Sequence, residues 1–153
     1  MKIALLTKKK KFEISDEKIT KKLKDDEVLV KISGTGICGS DLHFFRNGAL
    51  GSMPPKFPLS LGHETAGIIM DRNKSNFKNY TNVVIDPLDI SACKNIEKNL
   101  CGCGLKHNLC NHQTYLGSYP TKGSFRELMV LKKTQLTVLN KNIDPQISSM
   151  IEP

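Results

Sequence analysis

Short runs of valine, isoleucine and leucine recur along this chain, each closed by glycine, proline, asparagine or lysine, and that punctuation restricts it to a mainly β fold. Residues 2–6 are mostly apolar, Lys8–Lys11 suit a turn, and Phe12–Ile14 return as a partner strand. Glu27–Ile32 has the β-branched content of a strand, which Gly34 and Gly36 then break. Thr65–Met70, Asn82–Ile85, Gly123–Leu131 and Gln135–Leu139 read as further strands. Helical signals are few. One helix is expected over Ser40–Arg46, ending at Asn47-Gly48, and Asp144-Pro145 starts another of barely two turns, with Asp as the cap and Pro in the first turn. Nothing forms the βαβ alternation of a parallel sheet, and no Gly-x-Gly-x-x-Gly loop is read after a strand, so no dinucleotide site is expected within these residues. The expected architecture is a partly open β-barrel with short helices. A loop rich in Gly, Met and Pro at 47–58 and a cysteine-bearing excursion at 88–112 interrupt it. At 153 residues the chain, 1–153, is read as one domain.

The formal charge of +8 raises the question of a nucleic-acid partner. The lysines, however, are dispersed over Lys8–Lys11, Lys21–Lys24 and single later positions, with few aromatics among them. A solvated basic surface is the expectation, with no nucleic-acid partner. No apolar run approaches the ~20 residues that span a bilayer. The opening Met1–Thr7 is too short for a signal peptide and runs straight into lysines. The chain is therefore expected to be cytoplasmic, without a membrane partner.

Five cysteines are present, four of them between positions 93 and 110, with Cys38 alone. Clustered thiols in a chain of this kind point to a metal site rather than to disulfides. Two further segments carry candidate ligands: Gly36-Ile37-Cys38-Gly39-Ser40-Asp41-Leu42-His43 and Leu61-Gly62-His63-Glu64-Thr65-Ala66-Gly67. Taken singly, Cys38 reads as a small buried hydrophobe, His63 as a satisfied core histidine and Glu64 as a surface residue. Taken together they offer one thiolate, one imidazole and one carboxylate. Such a set leaves a tetrahedral zinc one ligand short, and an open position marks a catalytic rather than a structural site.

These two blocks resemble the catalytic-zinc motifs of the zinc-dependent medium-chain dehydrogenases. The run Ser40–Gly48 with the following Gly51, and the terminal Ile151-Glu152-Pro153, resemble the sorbitol and L-idonate 5-dehydrogenase branch. The resemblance extends over essentially the whole chain. It implies a GroES-like barrel and NAD(P)-linked oxidation of a polyol or sugar-acid secondary alcohol. On matching positions it makes Cys38 and His63 zinc ligands, and Glu64 and Glu152 the two acidic residues of that zinc site, with the choice of direct ligand between them open. It assigns the substrate proton to Ser40, the next relay step toward solvent to His43, and orientation of the zinc-bound imidazole to Asp41. Phe44, Phe45 and Arg46 would line the substrate mouth. Zinc would act as a Lewis acid on the alcohol, and the nicotinamide would accept hydride.

The family carries a second, structural zinc held by cysteines in Cys-x-x-Cys spacing. Here the spacing is Cys93-x7-Cys101-x1-Cys103-x6-Cys110. Cys93 and Cys110 occupy the outer family positions, and Gly102 and Gly104 give the backbone freedom to bring Cys101 and Cys103 into a tetrahedron. These four are the candidate ligands of a structural zinc, with His107 and His112 as spares and free thiols as the alternative. The stretches Asp71-Arg72-Asn73-Lys74 and Tyr80-Thr81-Asn82 also depart from the family's glycines and Gly-Asp. A family enzyme continues from Glu-Pro into a Rossmann domain. The chain is accordingly expected to be a catalytic domain truncated before that domain, inactive alone, and partnered by the missing Rossmann half or by a homo-oligomer. The alternative readings are an inactive zinc-binding remnant and one half of a split dehydrogenase.

Overall fold

The structure is a computed structural model describing residues 1–19, 22–52, 56–89, 110, 112–140 and 143–153. In chain order the strands are β1 (Lys2–Lys8), β2 (Lys11–Asp16), β3 (Glu27–Thr35), β4 (Thr65–Asp71), β5 (Asn82–Ile85), β6 (Leu88–Asp89), β7 (Thr114–Tyr115), β8 (Leu128–Lys132) and β9 (Leu136–Val138). The helix α1 spans Gly39–Asn47, and 3-10 turns cover Lys133–Gln135 and Ile147–Ile151. The main sheet has five strands in the order β8-β3-β4-β5-β9. Every pairing in it is antiparallel. The β1–β2 hairpin is a separate two-stranded sheet, tied to the loops by bridges from Ile3 to Arg126 and from Leu6 to Leu59. The mainly β, partly open barrel expected from the sequence is the architecture observed.

The alternation of apolar residues decides which face closes. Val28 and Val30 of β3, Ile69 of β4, Val83 and Ile85 of β5, and Met129 and Leu131 of β8 meet in one buried cluster with Leu116 and Leu136. A smaller cluster of Leu6, Phe44, Leu59 and Leu61 seats α1 beneath the hairpin. β4 is buried through Thr65-Ala66-Gly67 because it is the middle strand of the sheet. Gly67 makes that pairing feasible: a Cβ there would lie 2.5 Å from the Lys31 carbonyl oxygen and 2.6 Å from Val30 Cγ1.

The structure corrects several sequence expectations. The Lys8–Lys11 turn shrinks to its middle two residues, with Lys8 and Lys11 paired as strand residues. β3 runs on through Gly34 to Thr35, with a register shift between Ile32 and Gly34, so the glycine marks a bulge and not an end. α1 extends one residue beyond the expected helix at each end. The expected strand over Gly123–Leu131 starts only at Leu128. Residues Gly123–Phe125 bond instead to the backbone of Ser60–Gly62, at 2.8–3.0 Å. At the C-terminal end the expected Asp144 cap gives way to a turn: its Oδ1 accepts the Gln146 amide at 2.7 Å, and Gln146 itself is the N-cap of the segment Ile147–Ile151, which is 3-10 and has no side-chain cap bond. No helix among the described residues is long and apolar enough to cross a membrane.

Candidate metal centre

Pairing of β3 with β4 assembles the site. Thr35 faces Thr65 across the sheet, and the Gly36 amide donates to the Glu64 carbonyl at 2.7 Å. The residues just past β3 and just before β4 are thereby forced into contact. Cys38, Ncap of α1, comes beside His63 and Glu64. One ligand atom from each of Cys38, His63 and Glu64 lies within 4.8 Å of the other two. His63 is buried, and Cys38 and Glu64 are half-buried.

The donor set fits a zinc-sized cation. Zinc bonds of about 2.0–2.3 Å in a tetrahedron place ligand atoms roughly 3.5 Å apart, so a shared ion requires the three groups to draw in by little more than about an ångström. Two donors are anionic when deprotonated and one is a neutral imidazole, the mixture that a borderline-soft divalent ion prefers.

Asp41 sits at the third position of α1 and is buried. Its Oδ2 accepts the Cys38 amide at 3.0 Å, and its Oδ1 accepts the Gly62 amide at 3.2 Å. The same Oδ1 stands 4.0 Å from His63 Nδ1. That is an electrostatic contact rather than a hydrogen bond. The orienting bond to the imidazole expected from the sequence is therefore replaced by a clamp on the two backbones that carry Cys38 and His63. Burial pushes the Asp41 carboxyl up from the usual carboxylate range; the Cys38 amide, the His63 imidazole and the Gly62 amide pull the other way, and Glu64 adds to the rise.

Glycines shape the rest of the cradle. Gly62 takes a φ of +93°, and a Cβ there would strike Phe125 and Ser124 Oγ within 2.8 Å. A Cβ at Gly36 would stand 2.1 Å from Glu64 Oε2 and 3.0 Å from Glu64 Cβ. Gly36→Ala is thus expected to turn the Glu64 carboxylate away from Cys38 and His63. Metal affinity should fall by about tenfold with a near-wild-type circular dichroism spectrum, as read by chelator competition on the folded protein. Contrary to the sequence expectation, Gly34-Thr35-Gly36-Ile37-Cys38-Gly39 does have the Gly-x-Gly-x-x-Gly spacing of a dinucleotide loop, running from the end of β3 to the first residue of α1. The setting is wrong for that role. β3 is antiparallel to both neighbours, Gly34 faces the Gln146 backbone, and Gly36 faces Glu64, so these residues do not fit a nicotinamide dinucleotide.

Of the remaining expected residues, Ser40 is half-buried in the first turn of α1. His43 is exposed one turn later, its Nδ1 3.5 Å from Asn47 Nδ2. The i, i+3 spacing puts both on one side of the helix. Glu152 stands outside the Cys38–His63–Glu64 group and instead accepts a hydrogen bond at Oε1 from the Tyr115 hydroxyl, 2.9 Å away. Tyr115 is the residue the sequence reading missed. Its ring centroid is 5.2 Å from that of His63. Burial raises the phenol pKa far above its ordinary value, with the Glu152 bond and the charges of Glu152, Cys38 and Glu64 adding to the rise. The phenol is therefore a donor at any physiological pH. A lone tyrosine after a cysteine-rich stretch carries no local signal, so nothing in the sequence could have singled it out. Beside Tyr115 and Glu152 opens a largely apolar groove of about 410 Å³, walled by Ile85, Leu88, Leu139 and Ile151.

Of the candidate lobe ligands, Cys93, Cys101, Cys103 and the spare His107 lie outside the described residues. Cys110 is buried and His112 is exposed.

Residues 24–141 match the alcohol dehydrogenase GroES-like domain. Sorbitol dehydrogenase of Bacillus subtilis (strain 168) is 32% identical over 131 residues, covering 84% of this chain and 35% of that protein. L-idonate 5-dehydrogenase of Vitis vinifera is 34% identical over 131 residues, covering 83% of this chain and 34% of that protein. Among solved structures, galactitol-1-phosphate dehydrogenase from Escherichia coli superposes with a TM-score of 0.83 at 26% identity, over 99% of this chain and 42% of that one. The chain thus spans about a third of the length of these relatives.

Proposed function

The chain belongs to the alcohol dehydrogenase GroES-like domain family, and on that premise we propose that it is the zinc-binding part of an oxidoreductase acting on a polyol or sugar-acid secondary alcohol. The observation that carries this reading is the convergence of Cys38, His63 and Glu64. They come from two segments far apart in sequence, and they offer the thiolate, imidazole and carboxylate of a three-ligand site. The relatives' names, sorbitol dehydrogenase and L-idonate 5-dehydrogenase, support the substrate class.

Bound there, zinc would supply a Lewis acid that lowers the pKa of an alcohol toward neutrality. The protein's own groups would do the rest. Asp41 fixes the spacing of Cys38 and His63 by holding both backbones. Ser40 Oγ, two residues past Cys38, takes the alcohol proton, and the His43 imidazole passes it on to solvent from the exposed side of α1. Since the Gly34–Gly39 run does not fit a nicotinamide dinucleotide, the hydride acceptor would come with a Rossmann-type unit or a partner chain.

The test is turnover. The zinc-loaded chain is mixed with NAD or NADP and a panel of polyols and sugar acids, with and without a co-expressed Rossmann partner taken from a relative. Nicotinamide reduction is expected only with the partner, and is expected to disappear in Cys38→Ser. Absence of turnover under every condition would overturn the oxidoreductase reading.

A further inference from the structure

Two facts about Glu152 stand side by side. Its carboxylate is not among the Cys38–His63–Glu64 group, and one of its oxygens is engaged by Tyr115 at 2.9 Å. Tyr115 also packs its ring against His63, with 5.2 Å between centroids. A single side chain therefore touches a residue of the ligand group with its ring and the spare carboxylate with its hydroxyl.

The geometry points to Tyr115 as a positioning residue that holds Glu152 out of the coordination sphere of a cation bound by Cys38, His63 and Glu64, so that one position stays open. The inference rests on the metal reading proposed above and deepens it. A half-buried carboxylate beside a divalent cation is drawn toward it, because the surrounding dielectric screens the attraction only partly. Opposing this is a charge-assisted hydrogen bond from the phenol, of the stronger class of such bonds. The hydroxyl satisfies one carboxylate oxygen and fixes the direction of the group. Without it, a cation held by Cys38, His63 and Glu64 would be free to recruit the Glu152 carboxylate. The site would then close with four protein ligands, which is the structural and not the catalytic form of such a centre.

Tyr115→Phe tests this directly, since it deletes the hydroxyl and keeps the ring that packs on His63. The full chain is loaded with Co(II), whose visible absorption reports ligand number and type, and affinity is read by competition with a chelator. Wild type, Tyr115→Phe, Glu152→Gln and the double variant are compared. Tyr115→Phe is expected to bind Co(II) about tenfold more tightly, with a changed visible spectrum, because Glu152 enters as a ligand. The double variant is expected to return to wild-type affinity and spectrum. Equal or weaker binding by Tyr115→Phe overturns the inference, as does a gain that persists in the Glu152→Gln background. Failure of the underlying metal reading looks different: Co(II) would bind equally well to Cys38→Ser, and both proposals would fall together.

Discussion

Cys38→Ser is expected to empty the proposed zinc site, lowering the metal count there from one ion per chain to none under dilute chelator. A four-ligand zinc site gathers about 10–16 kcal/mol in all, so one ligand accounts for roughly 3 kcal/mol, or about two orders of magnitude in affinity. A serine hydroxyl does not replace a thiolate at neutral pH, because it does not deprotonate there. Cys38 is half-buried and caps α1 mainly through its backbone, whose amide is held by Asp41. The melting temperature of the metal-free variant should therefore stay close to that of the metal-free wild type. His63→Ala should lose the ion as completely, but His63 is buried, and the cavity left behind will also lower stability. Metal counting by mass spectrometry on both variants decides the matter. A wild-type chain without zinc, or a Cys38→Ser chain that keeps it, removes the basis of the proposed activity.

The second large effect is expected at Asp41. Its two oxygens accept amides from Cys38 and Gly62, which lie on the two segments that carry the candidate ligands. Asp41→Ala leaves both donors without that acceptor, at a cost of about 1–3 kcal/mol for a buried one. Relief of the buried carboxylate's own desolvation offsets part of this, so a net loss of about 2 kcal/mol is expected. That corresponds to a fall of about 6 °C in melting temperature for a domain of this size. Zinc affinity should fall as well, because the gap between Cys38 and His63 is no longer fixed. Asp41→Asn keeps one acceptor oxygen and should fall between the two. If Asp41→Ala matched wild type in melting temperature and metal affinity, the clamp would be refuted.

Much of the site was legible as a list of residues. Cys38, His63 and Glu64 stood out because the two blocks combine donors of three chemical kinds, and antiparallel pairing of β3 with β4 then brings those blocks together. Asp41 was legible as a participant but not in its role. Sequence position cannot distinguish a carboxylate that meets an imidazole from one that meets two amides, since a rotation about one side-chain bond separates them. The strand boundaries failed where backbone groups found partners outside the sheet. Gly123–Phe125 looked like strand and was recruited instead to the loop before His63. Gly34 looked like a break and became a bulge, because a strand paired on both sides continues past a residue that merely weakens it.

The fold class and the chemistry of the donors came from the amino-acid sequence alone. Short β-branched runs can bury themselves only by pairing, and the kind of atom a side chain offers to a metal is a local property. Tertiary structure alone decided the engagement of Glu152 by Tyr115, the contact of Gly36 with Glu64, and the clamping of two loops by Asp41. Each depends on distances of a few ångströms between residues 20 to 40 positions apart. Such distances are set by the register and curl of the sheet as a whole, which no local pattern encodes.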